Sequence, residues 1–171
     1  MMGVAQWLVV LVALQRLGEL LLARRNMVRL LARGGREVGA GHYPLIVGLH
    51  VAWLSTLFLA VPADAAVSWP WLIAFLLLQV ARLWVIANMG ENWTTRIVTV
   101  PDAPLVDGGP YRWFRHPNYL IVAAEIAVLP LIFGAWKIAL VYSLLNGAVL
   151  AWRIRVEDRV LEARRKRGVS H

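Results

Sequence analysis

Apolar residues run along this chain in five long blocks, broken by short stretches where arginine, proline and glycine collect. A helix crossing the hydrocarbon core of a bilayer takes about 20 mostly apolar residues, within a range of about 17–25. Val4–Ala23, Pro44–Val61 and Trp69–Asn88 meet that length, and Pro117–Phe133 and Trp136–Trp152 fall at its short end. Only Gly134-Ala135 separates the last two, which predicts a tight helical hairpin. The pattern predicts an all-α integral membrane protein: one domain over residues 1–171, with about five spans and a tail over 153–171. No basic region precedes the first block and no small-residue cleavage site follows it, so it reads as a retained helix. Arg24–Ala32 continues that helix along or past the interface, and Gly34-Gly35 ends it. Met89–Phe114 carries Pro101, Pro104 and Gly108-Gly109-Pro110 and reads as irregular, so its backbone needs protein or water partners.

Composition supports the membrane assignment, because 60% of the residues are hydrophobic against roughly 45–50% apolar in soluble domains. The absence of cysteine excludes disulfides, thiolate metal sites and cysteine nucleophiles. A net charge of +8 is compatible with nucleic-acid binding, but the cations sit in short blocks beside the spans. That distribution is what membrane topology produces, so no nucleic-acid partner is expected. Arg24, Arg25, Arg29, Arg33 and Arg36 follow the first span. Arg96, Arg112 and Arg115 lie between the third and fourth, and Arg153, Arg155, Arg159, Arg164, Arg165, Lys166 and Arg167 follow the fifth. Pro62–Ser68 has no cation and the last hairpin only Lys137. The asymmetry predicts an outside N-terminus and a cytoplasmic C-terminus.

Two stretches carry candidate chemistry. The first is Gly109-Pro110-Tyr111-Arg112-Trp113-Phe114-Arg115-His116-Pro117-Asn118-Tyr119, which fixes cations, rings and a histidine at the mouth of an apolar helix. Pro117 suits the first helical turn and pushes His116 into an extended conformation just outside it. The second is Arg153-Ile154-Arg155-Val156-Glu157-Asp158-Arg159, where Arg153 and Glu157 share a helix face. Both stretches lie at the same membrane depth on the cytoplasmic side, so they can meet. Each has a plain alternative, an interfacial anchor and a solvated basic helix respectively.

Within the spans, Arg16, Glu19, His50, Gln79, Arg82 and Glu125 must face the bundle interior or snorkel to an edge. Arg16 and Glu19 can neutralise each other, and Arg82 and Asn88 lie near enough to an end to snorkel. Glu125 stands two turns inside the fourth span with no local cation. His50 reads as a hydrogen-bonded packing residue, and Trp93 in Glu91–Arg96 as an interface residue. His42, His50 and His116 lack metal-ligand spacing.

Gly109-Pro110-Tyr111 with Arg115-His116-Pro117-Asn118-Tyr119, then Arg153 and Glu157-Asp158 before Leu161, resembles the isoprenylcysteine carboxyl methyltransferase family. The resemblance covers Trp93 to Leu161. It implies a membrane enzyme that uses S-adenosylmethionine at a cytoplasmic site to O-methylate a lipophilic small-molecule acceptor. By position it implies cofactor contacts at Val106, Gly109, Tyr111, His116, Pro117, Tyr119 and Glu157. Arg153, Arg96 and His116 are the residues expected to orient, hold or deprotonate the acceptor oxygen, and Trp93, Glu125 and His50 are candidate acceptor contacts. Arg24-Arg25-Asn26, Ala32-Arg33-Gly34-Gly35 and His42-Tyr43-Pro44 are similar to a bacterial branch associated with type III polyketide synthases. That implies an alkylpyrone or alkylresorcinol acceptor, a prenylcysteine-like carboxylate being the other expectation. Asp158 stands where the family usually has a second glutamate.

Two other readings remain open at this level. One is an NADPH-dependent membrane reductase of sterol-reductase type, although no glycine-rich dinucleotide fingerprint occurs here. The other is a non-catalytic protein binding haem or a small molecule through His42, His50 or His116.

Overall fold

The structure, a computed structural model, describes the backbone of residues 2–38, 41, 43–101 and 108–168 and the side chains through residue 159. Five helices form the molecule: α1 (Val4–Ala32), α2 (Tyr43–Ala60), α3 (Trp69–Met89), α4 (Pro117–Leu131) and α5 (Trp136–Gly168). All but α4 are long and apolar enough to cross a membrane. Their outer surfaces carry a belt of apolar side chains, among them Leu11, Leu14, Leu21, Leu77, Val80 and Leu144, each more than half exposed. Apolar surface on that scale belongs against hydrocarbon rather than water.

The sequence-read ends hold with small changes. α1 does run past the first apolar block to Ala32, and the Gly35 N–H closes on the Leu30 carbonyl at 2.9 Å. α4 stops at Leu131, two residues short of its apolar block, because the chain must turn between Ile132 and Ala135. Gly134 makes the turn at φ +67°, a backbone region that other residues rarely occupy. α5 is continuous through the former tail, so Trp136 and Glu157 belong to one rigid element.

One feature was not read from the sequence. Arg36–Val38 (β1) pairs antiparallel with Ile97–Thr99 (β2), Glu37 opposite Val98. The ladder ties the α1–α2 connection to the long segment after α3. Asn26, 1% exposed, adds to this by donating from Nδ2 to the carbonyls of Gly90 and Trp93 at 3.0 and 2.9 Å. The irregular segment thus finds protein partners at Gly90, Trp93 and Ile97–Thr99.

Along its axis the bundle has three zones. At the hairpin end, Ala5, Val9, Trp53, Leu57, Phe75 and Leu129 form a dry core. At mid-height the core becomes ionic. Arg82 grips Glu19 with Nε and Nη2, both at 2.6 Å, and reaches Glu125 with Nη1 at 3.2 Å. Arg16 donates to Glu19 and to Glu125, both at 2.8 Å, and Gln79 satisfies the other oxygen of Glu125 at 2.8 Å. Two arginines and two glutamates on α1, α3 and α4 therefore neutralise one another. Arg82 does not snorkel: it is 5% exposed, because its partners on other helices lie beyond what one helix's sequence reveals. Glu125 likewise has two cations, neither of them local. The third zone, at the opposite end, is open and holds the site.

Removing one member of a buried ion cluster leaves its partners charged and unpaired, which typically costs about 3–5 kcal/mol. Arg82→Ala is therefore expected to lower the unfolding temperature in detergent far more than Arg29→Ala, whose pair with Glu91 is solvent-exposed. Equal shifts for the two variants would count against the cluster as a structural centre.

Candidate functional site

The open end is built from the two stretches singled out by sequence. Pro117 starts α4, and His116 before it takes φ −133° outside the helix. His116 Nε2 lies 3.2 Å from Asp158 Oδ1, and Nδ1 lies 3.7 Å from Glu157 Oε2. Its ring stacks on Tyr119, centroids 5.4 Å apart and 18° from parallel. The Tyr119 hydroxyl donates a short hydrogen bond to Glu157 and accepts one from Arg153 Nε at 2.7 Å. Arg153 lies on α5 one turn before Glu157, so a single helix face supplies both ends of this relay. Its Nη groups make no hydrogen bond among the described residues.

This relay is the wall between two cavities. A polar cleft of about 130 Å³ has Tyr111, Arg115, His116 and Glu157 on its surface. A second cavity of about 120 Å³ runs into the bundle between Ile46, Val47, Val122 and Leu150, with Arg16, Glu19 and Arg82 at its floor. Trp93, Thr94, Asn118, Tyr119 and Arg153 border both.

Gly109 stands at φ +56°, and a Cβ there would fall 2.2 Å from Asn88 Oδ1, so glycine is required where the chain crosses α3. Tyr111 follows in a 3₁₀ turn and donates from its hydroxyl to Met89 Sδ at 2.8 Å. Burial pushes its phenol up to about 12, with the Glu157 carboxylate adding to the effect. Arg96 is engaged elsewhere: Nη1 holds Glu37 at 2.8 Å, and the guanidinium lies 4.3 Å from the Tyr43 ring centroid. The Glu37 carboxylate raises its already high pKa further.

Tyr111, His116, Tyr119, Arg153, Glu157 and Arg96 thus line the cleft, whereas Gly109 and Pro117 flank these residues in the chain without lining it. His50 borders the inner cavity, its Nδ1 2.9 Å from the Ile46 carbonyl, and Trp93 lies between the cavities. Glu125, 1% exposed, is occupied by Arg16, Gln79 and Arg82 rather than presented to a ligand. Val106 and His42 lie outside the described residues. Asp158 bridges His116 and Arg115, so the shorter carboxylate still pairs within the site. Sequence reasoning missed Asn146 and gave Asn118, within the stretch it singled out, no role of its own; both border the inner cavity. For Asn146 a signal existed: it is seven residues before Arg153, hence on the same helix face. Among the described residues no group of three or more histidine, aspartate or glutamate side chains suits a metal ion.

The raised Tyr111 pKa has a defined pH consequence. Its proton is held longer in the folded state than in the unfolded one, so the associated stability is present below about pH 10 and is lost as pH rises toward 12. Tyr111→Phe should flatten that part of the unfolding-temperature profile, and an unchanged decline between pH 10 and 12 would contradict it.

Comparison with known proteins follows the same residues. The model of the isoprenylcysteine carboxyl methyltransferase (ICMT) family matches residues 71–163, which contain both site stretches. An uncharacterized protein of Bacillus subtilis (strain 168), YpbQ, is 36% identical over 166 residues, 91% of this chain and 96% of its own. An uncharacterized protein of Haemophilus influenzae is 27% identical over 152 residues, 84% of this chain and 86% of its own. No solved structure matches significantly. The family match favours neither the reductase nor the haem-binding reading. The chain belongs to the isoprenylcysteine carboxyl methyltransferase family of membrane methyltransferases.

Proposed function

We propose that this protein O-methylates a lipophilic acceptor, with S-adenosylmethionine in the polar cleft and the acceptor's tail in the inner cavity. The observation that carries this is the Arg153–Tyr119–Glu157 relay, which borders a polar cleft on one side and a largely apolar cavity on the other. Methyl transfer needs such a boundary, because a charged cofactor and a greasy acceptor must meet at near-attack distance, roughly 3–3.5 Å, away from bulk water.

The cleft's residues fit the cofactor's groups. Glu157 and Asp158 suit its ammonium and ribose hydroxyls, Arg115 suits its carboxylate, and the Tyr119 and His116 rings offer a face to the base or the sulfonium. When bound, S-adenosylmethionine supplies an electrophilic methyl group for in-line displacement.

The chain's own residues do the rest. Glu157 accepts from Tyr119, and Tyr119 accepts from Arg153 Nε, which fixes the guanidinium plane. The Arg153 Nη groups then stabilise a developing or formed oxyanion on the acceptor. Arg153 takes this role ahead of Arg96, whose guanidinium is held by Glu37 and Tyr43. His116, oriented by Asp158, contacts the cofactor and accepts a proton from an acceptor that arrives un-ionised. An acidic enol, phenol or carboxylate suits this arrangement, which makes an alkylpyrone, an alkylresorcinol or a prenylcysteine-like carboxylate the substrate class. The arginine distribution supports a cytoplasmic location for this end of the bundle.

Calorimetry of the purified protein should show saturable S-adenosylmethionine binding, weakened at least tenfold by Glu157→Ala. A wild type without saturable binding contradicts the reading. With labelled cofactor and a panel of the three acceptor types, Arg153→Ala should lower turnover by about 10²–10³-fold, the effect of losing one preorganised oxyanion donor. Unchanged turnover would remove Arg153 from the chemistry. The chain has no cysteine, so single replacements report topology cleanly. A membrane-impermeant thiol reagent should label Asp64→Cys but not Arg112→Cys in intact cells, and the opposite pattern inverts the orientation.

A further inference from the structure

The inner cavity contains more polarity than a hydrocarbon tail needs. Asn146 on α5 and Trp93 before β2 are each 2% exposed, and both border this cavity. Neither side chain makes a hydrogen bond among the described residues, and the buried Asn146 Nδ2 and Trp93 Nε1 are both without a partner. Asn118 Oδ1, bordering the same cavity, is unpartnered too. A buried polar atom left unsatisfied costs about 1–3 kcal/mol, and a leucine at position 146 would avoid that cost. The other unpartnered buried polar atoms among the described residues divide by position: Asn26 Oδ1, Trp53 Nε1 and Ser143 Oγ do not border this cavity, whereas Arg16 Nε does, together with Asn146, Trp93 and Asn118.

Position gives these groups a meaning. Asn146, Leu150 and Arg153 follow one another at four and three residues, so they form one stripe on α5. Two helical turns separate Asn146 from Arg153, about 10 Å along the axis. The side chains of α-helices lean toward the N-terminus, which brings the Arg153 guanidinium back toward Asn146 and shortens the gap. Between them Leu150 and Val122 present apolar surface. An occupant matching this stripe has one oxygen at Arg153, a flat or apolar body against Leu150, and a second oxygen at the far side.

Resting on the methyltransferase reading above, we propose that Asn146 and the Trp93 indole N–H form a second polar anchor for the acceptor. They bind an oxygen function of its head group other than the oxygen that receives the methyl. Both can donate, so the group recognised is a hydrogen-bond-accepting oxygen, and the Asn146 amide also accommodates a hydroxyl. The acceptor class is therefore an oxygenated head group, one ring or comparable in span, that carries at least two separated oxygens and a lipophilic tail. A simple carboxylate does not satisfy this, because both of its oxygens sit on one carbon and are used together at Arg153.

A matched pair of ligands isolates the second oxygen: 3-pentadecylphenol and 5-pentadecylresorcinol share their tail and ring, so partition into detergent largely cancels. Binding is read from the ligand-dependent rise in unfolding temperature of the full-length protein, and acceptor KM from labelled methyl transfer. The wild type should bind the two-oxygen ligand at least tenfold more tightly. Asn146→Leu and Trp93→Phe should each erase most of that preference, and Asn146→Leu, which lies outside the cofactor cleft, should leave the affinity for S-adenosylmethionine within twofold. Trp93→Phe removes the N–H with little change of shape, so it carries the test if Asn146→Leu does not fold. A wild type without the preference, which is the result if ordered water satisfies these groups, overturns the proposal. So does a preference that survives in the variants. Failure of cofactor binding would instead defeat the methyltransferase reading, while the thermal preference would still report on the anchor.

Discussion

Charge placed inside an apolar bundle must be neutralised there, and the mutual neutralisation of Arg16, Glu19, Arg82 and Glu125 organises everything around it. A charged side chain at mid-membrane costs about 2.5–3.5 kcal/mol even on the most lenient scale. Four of them survive only because each finds opposite charge on a neighbouring helix and the lone pairs of Glu125 are further met by Gln79. The cluster fixes α1, α3 and α4 at one height and in one rotation. Below it the helices close on an apolar core, and above it they are free to diverge.

That divergence is what creates the site. Charged side chains cannot interdigitate as leucines do, so the space above the cluster becomes a cavity with a polar floor and apolar walls. The irregular segment after α3 roofs it, pinned by Asn26, by the short strand pair and by the Arg96–Glu37 ion pair. α5 then runs past the roof as one uninterrupted helix. The same face that presents Asn146 and Leu150 to the inner cavity presents Arg153 and Glu157 one and two turns later to the polar cleft. One stripe of side chains spaced at three and four residues therefore connects the inner cavity with the polar cleft.

What the sequence made legible divides along physical lines. Span length, hairpin and helix ends depend on local composition, and Val4–Ala32 with its glycine stop could be read directly. The meeting of His116 with Glu157 and Asp158 followed from topology, because both stretches flank the same hairpin at the same depth. Pairings between helices were not legible: nothing near Arg82 in sequence announces Glu19, and nothing near Glu125 announces Arg16. The strand pair escaped for a similar reason, since each strand has only three residues and is stabilised by the other. Asn146 was overlooked, and Asn118 given no role of its own, because single amides in apolar helices resemble packing residues until a cavity is seen beside them.

The central claim is that the Arg153–Tyr119–Glu157 relay separates cofactor from acceptor. The most direct measurement is an experimental structure of the protein with S-adenosylhomocysteine and a long-chain acceptor bound together. The account predicts the cofactor product beside His116 and Glu157, the acceptor tail between Val122 and Leu150, and the acceptor oxygen within hydrogen-bond reach of the Arg153 Nη groups. Cofactor density in the inner cavity, or an acceptor oxygen remote from Arg153, would contradict it.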